Sequence, residues 1–457
     1  MSDQRAARRP PSGAGAAGGA VLALALLAGC TPAAPSDTGF PDVQKMLDQR
    51  AQAVRKRDAA GFLASVDPQA TGYRDQQKRV LGNLAAVPLA DWHYDLLSTG
   101  AFPLPNAGTG ERLAAKVRLS YRLKGYDTAP VSAVQYLTLK ERDGRWRISS
   151  DTDGEAAGKT GTRQLWDQGP VRLVRGRHSL VLGGAGEAAR LHDLADRVDV
   201  AVPAVSAAWK GPWSRKVIVE APDTVGRMAQ LLGGGEPSGY AGIAAVTTGE
   251  AGASAKAPAD RVIVNPDAYE ELNDMGRKVV LTHETTHVAT RTVTTAATPL
   301  WLSEGLADWV AYRGTKRKAA VAAPELSRAV ATGAPPVRLP TDEDFGFTSG
   351  ADRLAKAYEG GWLACRMIAD KWGEAKLIAF YREAGRTGAP AGSAGAPMEA
   401  QRAAATGAPA TGGPAAANGK GQPARADRMD RAMRTQLGVG LAEFTRQWRA
   451  YVKGQLR

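Results

Sequence analysis

The densest chemistry in the sequence lies in five consecutive residues, His283-Glu284-Thr285-Thr286-His287. On a helix, positions four apart sit one turn apart on the same face, so His283 and His287 present two imidazoles side by side. Two neutral imidazoles at that spacing can grip one zinc ion, and a glutamate beside the first can serve as general base. The chain holds only 5 histidines in 457 residues, so the pattern does not follow from a histidine-rich composition. The competing reading is an ordinary helix face with two exposed histidines. A downstream carboxylate weighs against it. Glu304 follows His287 by 17 positions, enough for one helix to end, turn and send back a second helix with a third ligand. Asp308, four residues further on, shares a face with Glu304. It can accept a hydrogen bond from the free ring nitrogen of a ligand histidine, or it can be a solvated helix acid.

Two helices must position these groups. The first is expected over Asp274 to Thr290, with Asp274 as N-cap and Val279, Val280 and Val288 as the buried stripe. A Thr- and Ala-rich loop follows, and Pro299 opens a second helix from Leu300 to Tyr312. Upstream, residues 171–174 and 179–182 are short apolar runs, and 187–209 reads as an amphipathic helix broken at Pro203. Lys216–Glu220 and Arg261–Val264 are β-rich, giving a small sheet whose last strand, Arg261–Asn265, precedes the histidine helix. An exposed edge there would suit an extended peptide. Downstream, Ala351–Trp372 and Glu374–Ala384 read as helices separated by Gly373. Tyr358 on the first reads as aromatic core, with donation to a developing oxyanion as the alternative. Cys365 reads as a buried inert thiol. Residues 385–426 are Ala, Gly, Pro and Thr repeats and are expected to be a disordered insertion, after which a helix returns from Asp427 to Leu456.

The N-terminal third has a different pattern. Residues 41–66 read as one helix, and Val117, Leu119, Tyr121 and Leu123 alternate with polar residues as a half-buried strand. Residues 131–139 form another strand, and Asp143-Gly144 is a hairpin signal before Trp146 and Ile148. His93 stands alone and reads as packed or surface. Residues 151–168 read as a Gly- and Asp-rich linker. A helix followed by antiparallel strands is an α+β pattern and resembles the NTF2-like domains.

The first residues look like an export signal. Arg5, Arg8 and Arg9 precede a short apolar run, Ala20 to Ala28, too short to span a bilayer as a helix. The run ends in Leu27-Ala28-Gly29-Cys30, which resembles a bacterial lipobox. Cys30 would then carry lipid, with a cleaved signal and an incidental cysteine as the alternative. The only other cysteine is Cys365, so an acylated Cys30 leaves no intramolecular disulfide. Net charge is +13, spread as isolated Arg and Lys without a basic block or a nucleic-acid motif. No nucleic-acid partner is expected from it.

His283-Glu284-x-x-His287 followed by Trp301-Leu302-x-Glu304-Gly305-Leu306-Ala307 resembles the gluzincin zinc metallopeptidases, in particular the peptidase-MA-like group. It is also similar to the W-L-x-E-G-x-A of aminopeptidase N-like enzymes. The spacing to Glu304 is slightly shorter than in those aminopeptidases, and their G-x-M-E-N segment is absent. The resemblance implies His283, His287 and Glu304 as zinc ligands and Glu284 as the base, acting on peptide or protein substrates. The expected architecture is α+β: a signal peptide at 1–29, a tether at 30–40, an NTF2-like domain at 41–152, and a zincin-like peptidase domain at 170–384 plus 427–457. That domain would have a small sheet and a helical C-terminal half. The expected setting is the extracytoplasmic face of a bacterial membrane. The rival reading is a non-catalytic lipoprotein binding module with a vestigial zinc site.

Overall fold

The first helix stops earlier than its apolar spacing suggests. α1 (Pro41–Lys56) ends at Arg57, whose φ of 57° is left-handed, and Asp58 then caps α2 (Ala59–Ala64) by accepting from the Gly61 amide at 3.0 Å. The single helix expected at 41–66 is therefore two. The computed structural model describes residues 40–105, 110–184, 186, 188–234, 236–240, 242–248, 258–346, 350–386 and 418–457. The signal peptide and Cys30 lie outside the described residues.

After α3 (Thr71–Asn83), four strands form an antiparallel meander in chain order: β1 (Leu89–Thr99), β2 (Arg112–Leu123), β3 (Val131–Arg142) and β4 (Arg145–Ser150). Val117, Leu119, Tyr121 and Leu123 of β2 are all buried, as the alternation requires. Asp143 and Gly144 both take positive φ at the β3–β4 turn, the signature of a tight hairpin whose twist matches its strands. Residues 151–168 are not the linker expected. They include α4 (Leu165–Gln168), closed by reciprocal bonds between Gln164 and Asp167. This short helix delivers Trp166 into the core, where its ring centroid lies 5.1 Å from Tyr121 and 5.7 Å from Trp92. Gly and Asp dominate the composition of the segment, but two apolar side chains decide where it goes.

The second sheet has five strands in the order β5-β6-β7-β9-β8: β5 (Val171–Arg175), β6 (Ser179–Gly184), β7 (Val217–Ala221), β8 (Ala245–Thr247) and β9 (Arg261–Val264). The β6–β7 and β7–β9 pairs are parallel, and the two outer pairs are antiparallel. β9 is thus an inner strand and not the exposed edge expected of Arg261–Asn265. Among the described residues, the edge strands are β5 and, next to β9, the three-residue β8. Between β6 and β7, α5 (Ala188–Ala208) continues through Pro203 without the expected break. Val202 and Val205, both buried, pin the turns on either side, so packing outweighs the lost backbone bond. α6 (Val225–Leu231) and α7 (Pro266–Glu270) are short connectors capped by Thr224 and Asn265.

The rest of the chain is helical: α8 (Asp274–Thr290), α9 (Leu300–Tyr312), α10 (Ala319–Ala322), α11 (Pro324–Ala331), α12 (Ala351–Trp372), α13 (Glu374–Ala384), α14 (Asn418–Leu437) and α15 (Leu441–Leu456). The disordered insertion expected at 385–426 falls, over 387–417, outside the described residues; from Asn418 the chain is helical. The helix expected at Asp427–Leu456 is two, parted at Gly438 with φ 74°. Two sheets with many helices make a mixed α/β architecture. Among the described residues no helix is long and apolar enough to cross a membrane.

A buried ion pair joins the two sheets. Arg261 on β9 donates to Asp127, in the turn after β2, at 2.6 and 2.8 Å. Their side chains are 6% and 0% exposed, so both charges are taken out of water. Two backbone amides, Leu123 at 2.7 Å and Ala259 at 3.1 Å, complete the carboxylate's shell. This bidentate geometry offsets the desolvation that a looser pair would not. Asp127→Ala leaves a buried guanidinium without its bidentate partner, and we expect a loss of about 3–5 kcal/mol. Denaturant unfolding of the variant against the parent measures it, and an unchanged midpoint would contradict the role assigned to the pair.

Candidate metal centre

α8 carries the two histidines. Its N-cap is Asn273, whose side chain accepts from Gly276 at 2.9 Å, and not Asp274 as expected; Asp274 instead pairs with Arg197 at 2.7 Å. The buried face of α8 is unusually polar, with Thr282, Glu284, Thr285, Thr286 and Thr290 all inside. Three of these threonines spend their hydroxyls on carbonyls one turn back: Thr282 on Lys278 at 2.8 Å, Thr286 on Thr282 at 2.8 Å and Thr290 on Thr286 at 3.0 Å. That bonding satisfies the hydroxyls inside the core without partners from other elements.

α9 brings in Glu304 and Asp308. Asp342 accepts from the Leu300 amide at 2.9 Å and so satisfies one of the free donors at the start of the helix. Arg425 on α14 pairs with Asp342 and donates to the Thr298 carbonyl at 2.8 Å, fixing the entry to α9. Trp301, 4% exposed, stacks near Phe380 at 6.4 Å and Phe444 at 6.2 Å. α9 and α12 then cross backbone to backbone. A Cβ on Gly305 would meet the Gly361 carbonyl oxygen at 2.3 Å, and one on Gly361 would meet the Trp301 oxygen at 2.6 Å. Only glycine fits at either point. Cys365 is fully buried in this crossing, with Sγ 3.9 Å from the Leu302 carbonyl.

The structure brings His283, His287 and Glu304 together. The Nε2 atoms of the two histidines are 3.0 Å apart, and Oε2 of Glu304 lies 3.2 Å from His283 and 3.3 Å from His287. Tetrahedral zinc bonds of the usual length separate ligand atoms by roughly 3.3 Å, so the triangle fits such an ion. Asp308 holds the arrangement: its Oδ1 lies 2.8 Å from Nδ1 of His283. With the proton on Nδ1 and directed at Asp308, the lone pair of His283 sits on Nε2, facing the triangle. Among the described residues these three form the one cluster of His, Cys, Asp and Glu with metal-holding geometry.

The electrostatics are those of a site built for a cation. Burial alone would lower the pKa of His283, but Asp308 and Glu304 outweigh it and hold the imidazole well above its ordinary value. Burial would raise Glu304, yet His287 and His283 hold it well below the usual carboxylate range.

Two further groups surround the triad. Glu284, 7% exposed, accepts at 2.5 Å from the hydroxyl of Thr247, which also donates to the Glu284 carbonyl at 3.3 Å. Thr247 escaped the sequence reading because β8 is too short to show alternation. Tyr358 on α12 has its ring 6.4 Å from that of His283, with Phe345 packed edge-on at 5.2 Å. Burial first, then the charges of Glu304, Asp308 and Glu284, hold its phenol well above the ordinary value, so it remains a donor at neutral pH. Tyr358 is thus beside the centre and not merely core. His93 is remote from it, beside Asp95 at 2.9 Å on β1.

No protein-family model matches the chain. No curated protein matches it. Among solved structures it is similar to M1 zinc metallopeptidases. One, a glutamate-to-alanine mutant from Deinococcus radiodurans bound to a Tyr-Ser-Ala substrate, shares 17% identity over 71% of this chain and 60% of that one, at a TM-score of 0.28. A two-domain M1 mutant bound to L-arginine shares 16% over 69% and 59%, also at 0.28. The chain therefore spans about 60% of the length of the first of these structures. Superposition at that level is weak, and the reading of the centre rests on its own geometry.

Asp308→Ala removes the group that fixes the His283 tautomer. We expect zinc affinity to fall by about 10- to 100-fold with little loss of secondary structure. Competition with a chromogenic chelator measures it, and an affinity equal to the parent's would show that Asp308 does not orient His283.

Proposed function

We propose that this chain is a zinc-dependent peptidase, with His283, His287 and Glu304 holding the ion. The single observation that carries the reading is the triangle of two imidazole nitrogens and one carboxylate oxygen, 3.0 to 3.3 Å on a side, with Glu284 on the same helix turn. When bound there, zinc supplies Lewis acidity toward a carbonyl and makes a water more acidic.

The side chains do the rest. Glu284 accepts a proton from the attacking water and returns it to the leaving amine. Thr247 holds one oxygen of that carboxylate, leaving the other free for the proton. Asp308 keeps the proton of His283 on Nδ1. Tyr358, protonated and without a hydrogen-bond partner among the described residues, donates to the oxyanion that develops on the carbonyl. β8 supports a peptide substrate in particular: it is one of the two edge strands of the second sheet, and it touches the base through Thr247. An extended chain adding to that edge would run past Glu284.

The finer setting belongs to the same proposal. Residues 1–29 would direct export, Cys30 would carry the lipid, and the peptidase would act at the outer face of the membrane. The helices and four-stranded meander of the first third would be an NTF2-like accessory module.

Glu284→Gln keeps the shape and removes the base. Zinc content is expected to stay at the parent's level, while cleavage of a mixed peptide library falls by three or more orders of magnitude, roughly the most that loss of a general base and its water activation removes. Undiminished cleavage would remove Glu284 from the role of base. Bound zinc with no cleavage even in the parent would leave a metal-holding module without turnover.

A further inference from the structure

The first sheet and its helices enclose a cavity that the peptidase reading does not use. Its volume is about 40 Å³, roughly three times the least space that holds one water. Arg50 lines it and is only 5% exposed. Its guanidinium donates to Ser65 Oγ at 2.9 Å, to the Gln77 side-chain oxygen and, at 3.5 Å, to the Phe62 carbonyl, and it lies 3.8 Å over the Phe62 ring. All of these acceptors are neutral. Buried arginines are nearly always paired with an anion, and no carboxylate among the described residues lies within ion-pair reach of this one.

Two more donors in the same wall are unspent. Trp92 is 2% exposed, and its Nε1 has no hydrogen-bond partner. The hydroxyl of the half-buried Tyr73 makes no hydrogen bond among the described residues. A buried donor such as Trp92 Nε1 left without an acceptor is uncommon enough to require a reason. The acids in the wall do not supply one. Asp151 is neutralised by Arg163 at 2.6 Å. Asp167 feels the charge of Arg50 but makes no direct contact with its guanidinium, and its carboxylate accepts from the Gln164 amide at 2.8 Å. Val80, Leu84 and Leu119 give the lining an apolar patch beside the polar Gln135, Thr162 and Arg163.

We propose that this cavity binds a small monocarboxylate, with Arg50 as its counter-ion, Trp92 Nε1 and Tyr73 Oη as donors, and its short aliphatic tail against Val80 and Leu84. A planar carboxylate suits a guanidinium fork and two convergent donors. A dianion would meet Asp151 and Asp167 and is disfavoured. The carboxylate can belong to a free short-chain acid or to the C-terminus of a peptide; the chemistry is shared. The inference stands apart from the metal centre.

The test follows indole N–H resonances of the full chain labelled with ¹⁵N at tryptophan, during titration with propionate, N-acetylalanine or propionamide at constant ionic strength. The Trp92 signal is identified by its absence in Trp92→Phe, which keeps the aromatic body. We expect a saturable shift of that signal with propionate or N-acetylalanine and none with propionamide. The tighter of the two acids identifies the source. Arg50→Gln should weaken binding by more than about tenfold. Should Arg50→Gln not fold, Tyr73→Phe serves, with weakening of a few-fold. Equal response to propionamide, no saturable response to either acid, or undiminished binding in the folded variants would overturn the proposal.

Discussion

Two imidazole nitrogens and a carboxylate oxygen crowd within 3.3 Å of one another in a largely buried site, and that crowding dictates how the surrounding helices are built. Like lone pairs at such a distance repel unless a proton or a cation lies between them. Glu304 and Asp308 supply the negative charge that such a proton or cation pairs with, and both come from one face of α9. α9 must therefore lie close against α8 with its rotation fixed. The glycine crossing of α9 with α12 fixes that rotation, because a methyl group at Gly305 or Gly361 would push the backbones apart. Trp301 wedged near Phe380 and Phe444, and Asp342 at the first turn, hold the same helix from its start.

The same constraint explains why α8 can bury so polar a face. A helix that must present His283, Glu284 and His287 inward cannot also present an ordinary apolar stripe there. Thr282, Thr286 and Thr290 resolve the conflict: each hydroxyl bonds to its own helix, and each methyl group packs. On the other side, the Glu284 carboxylate is held from β8. That strand hangs on β9, and β9 is tied through Arg261 to Asp127 in the first sheet. A chain of packed and bonded groups thus runs from the N-terminal meander to the carboxylate next to the His283–His287–Glu304 cluster.

Much of this was legible in the sequence, and the reasons differ by element. α12 and α13 have apolar periodicity ended by Gly373 and Gly385, and their bounds follow from local pattern. His283, His287 and Glu304 were readable as a cluster because they lie on two helices that follow one another in the chain. What escaped was short or long-range. β8 has three residues, Ala-Val-Thr, and no alternation to read, so the edge was assigned to β9 and Thr247 was missed. Arg57 gave no hint of its left-handed backbone. Leu165 and Trp166 were hidden in a polar segment. The Asp127–Arg261 pair spans 134 positions, and nothing local marks either residue as a partner. The break of α14 from α15 at Gly438 was masked by an apolar spacing that runs across it.

The account turns on whether those three atoms hold a metal. Diffraction data from crystals grown with zinc, collected on either side of the zinc absorption edge, test this directly. The account predicts one anomalous peak equidistant from Nε2 of His283, Nε2 of His287 and Oε2 of Glu304, at about 2.0–2.2 Å from each. A well-ordered centre with no peak there, in crystals that show bound zinc elsewhere, would contradict it.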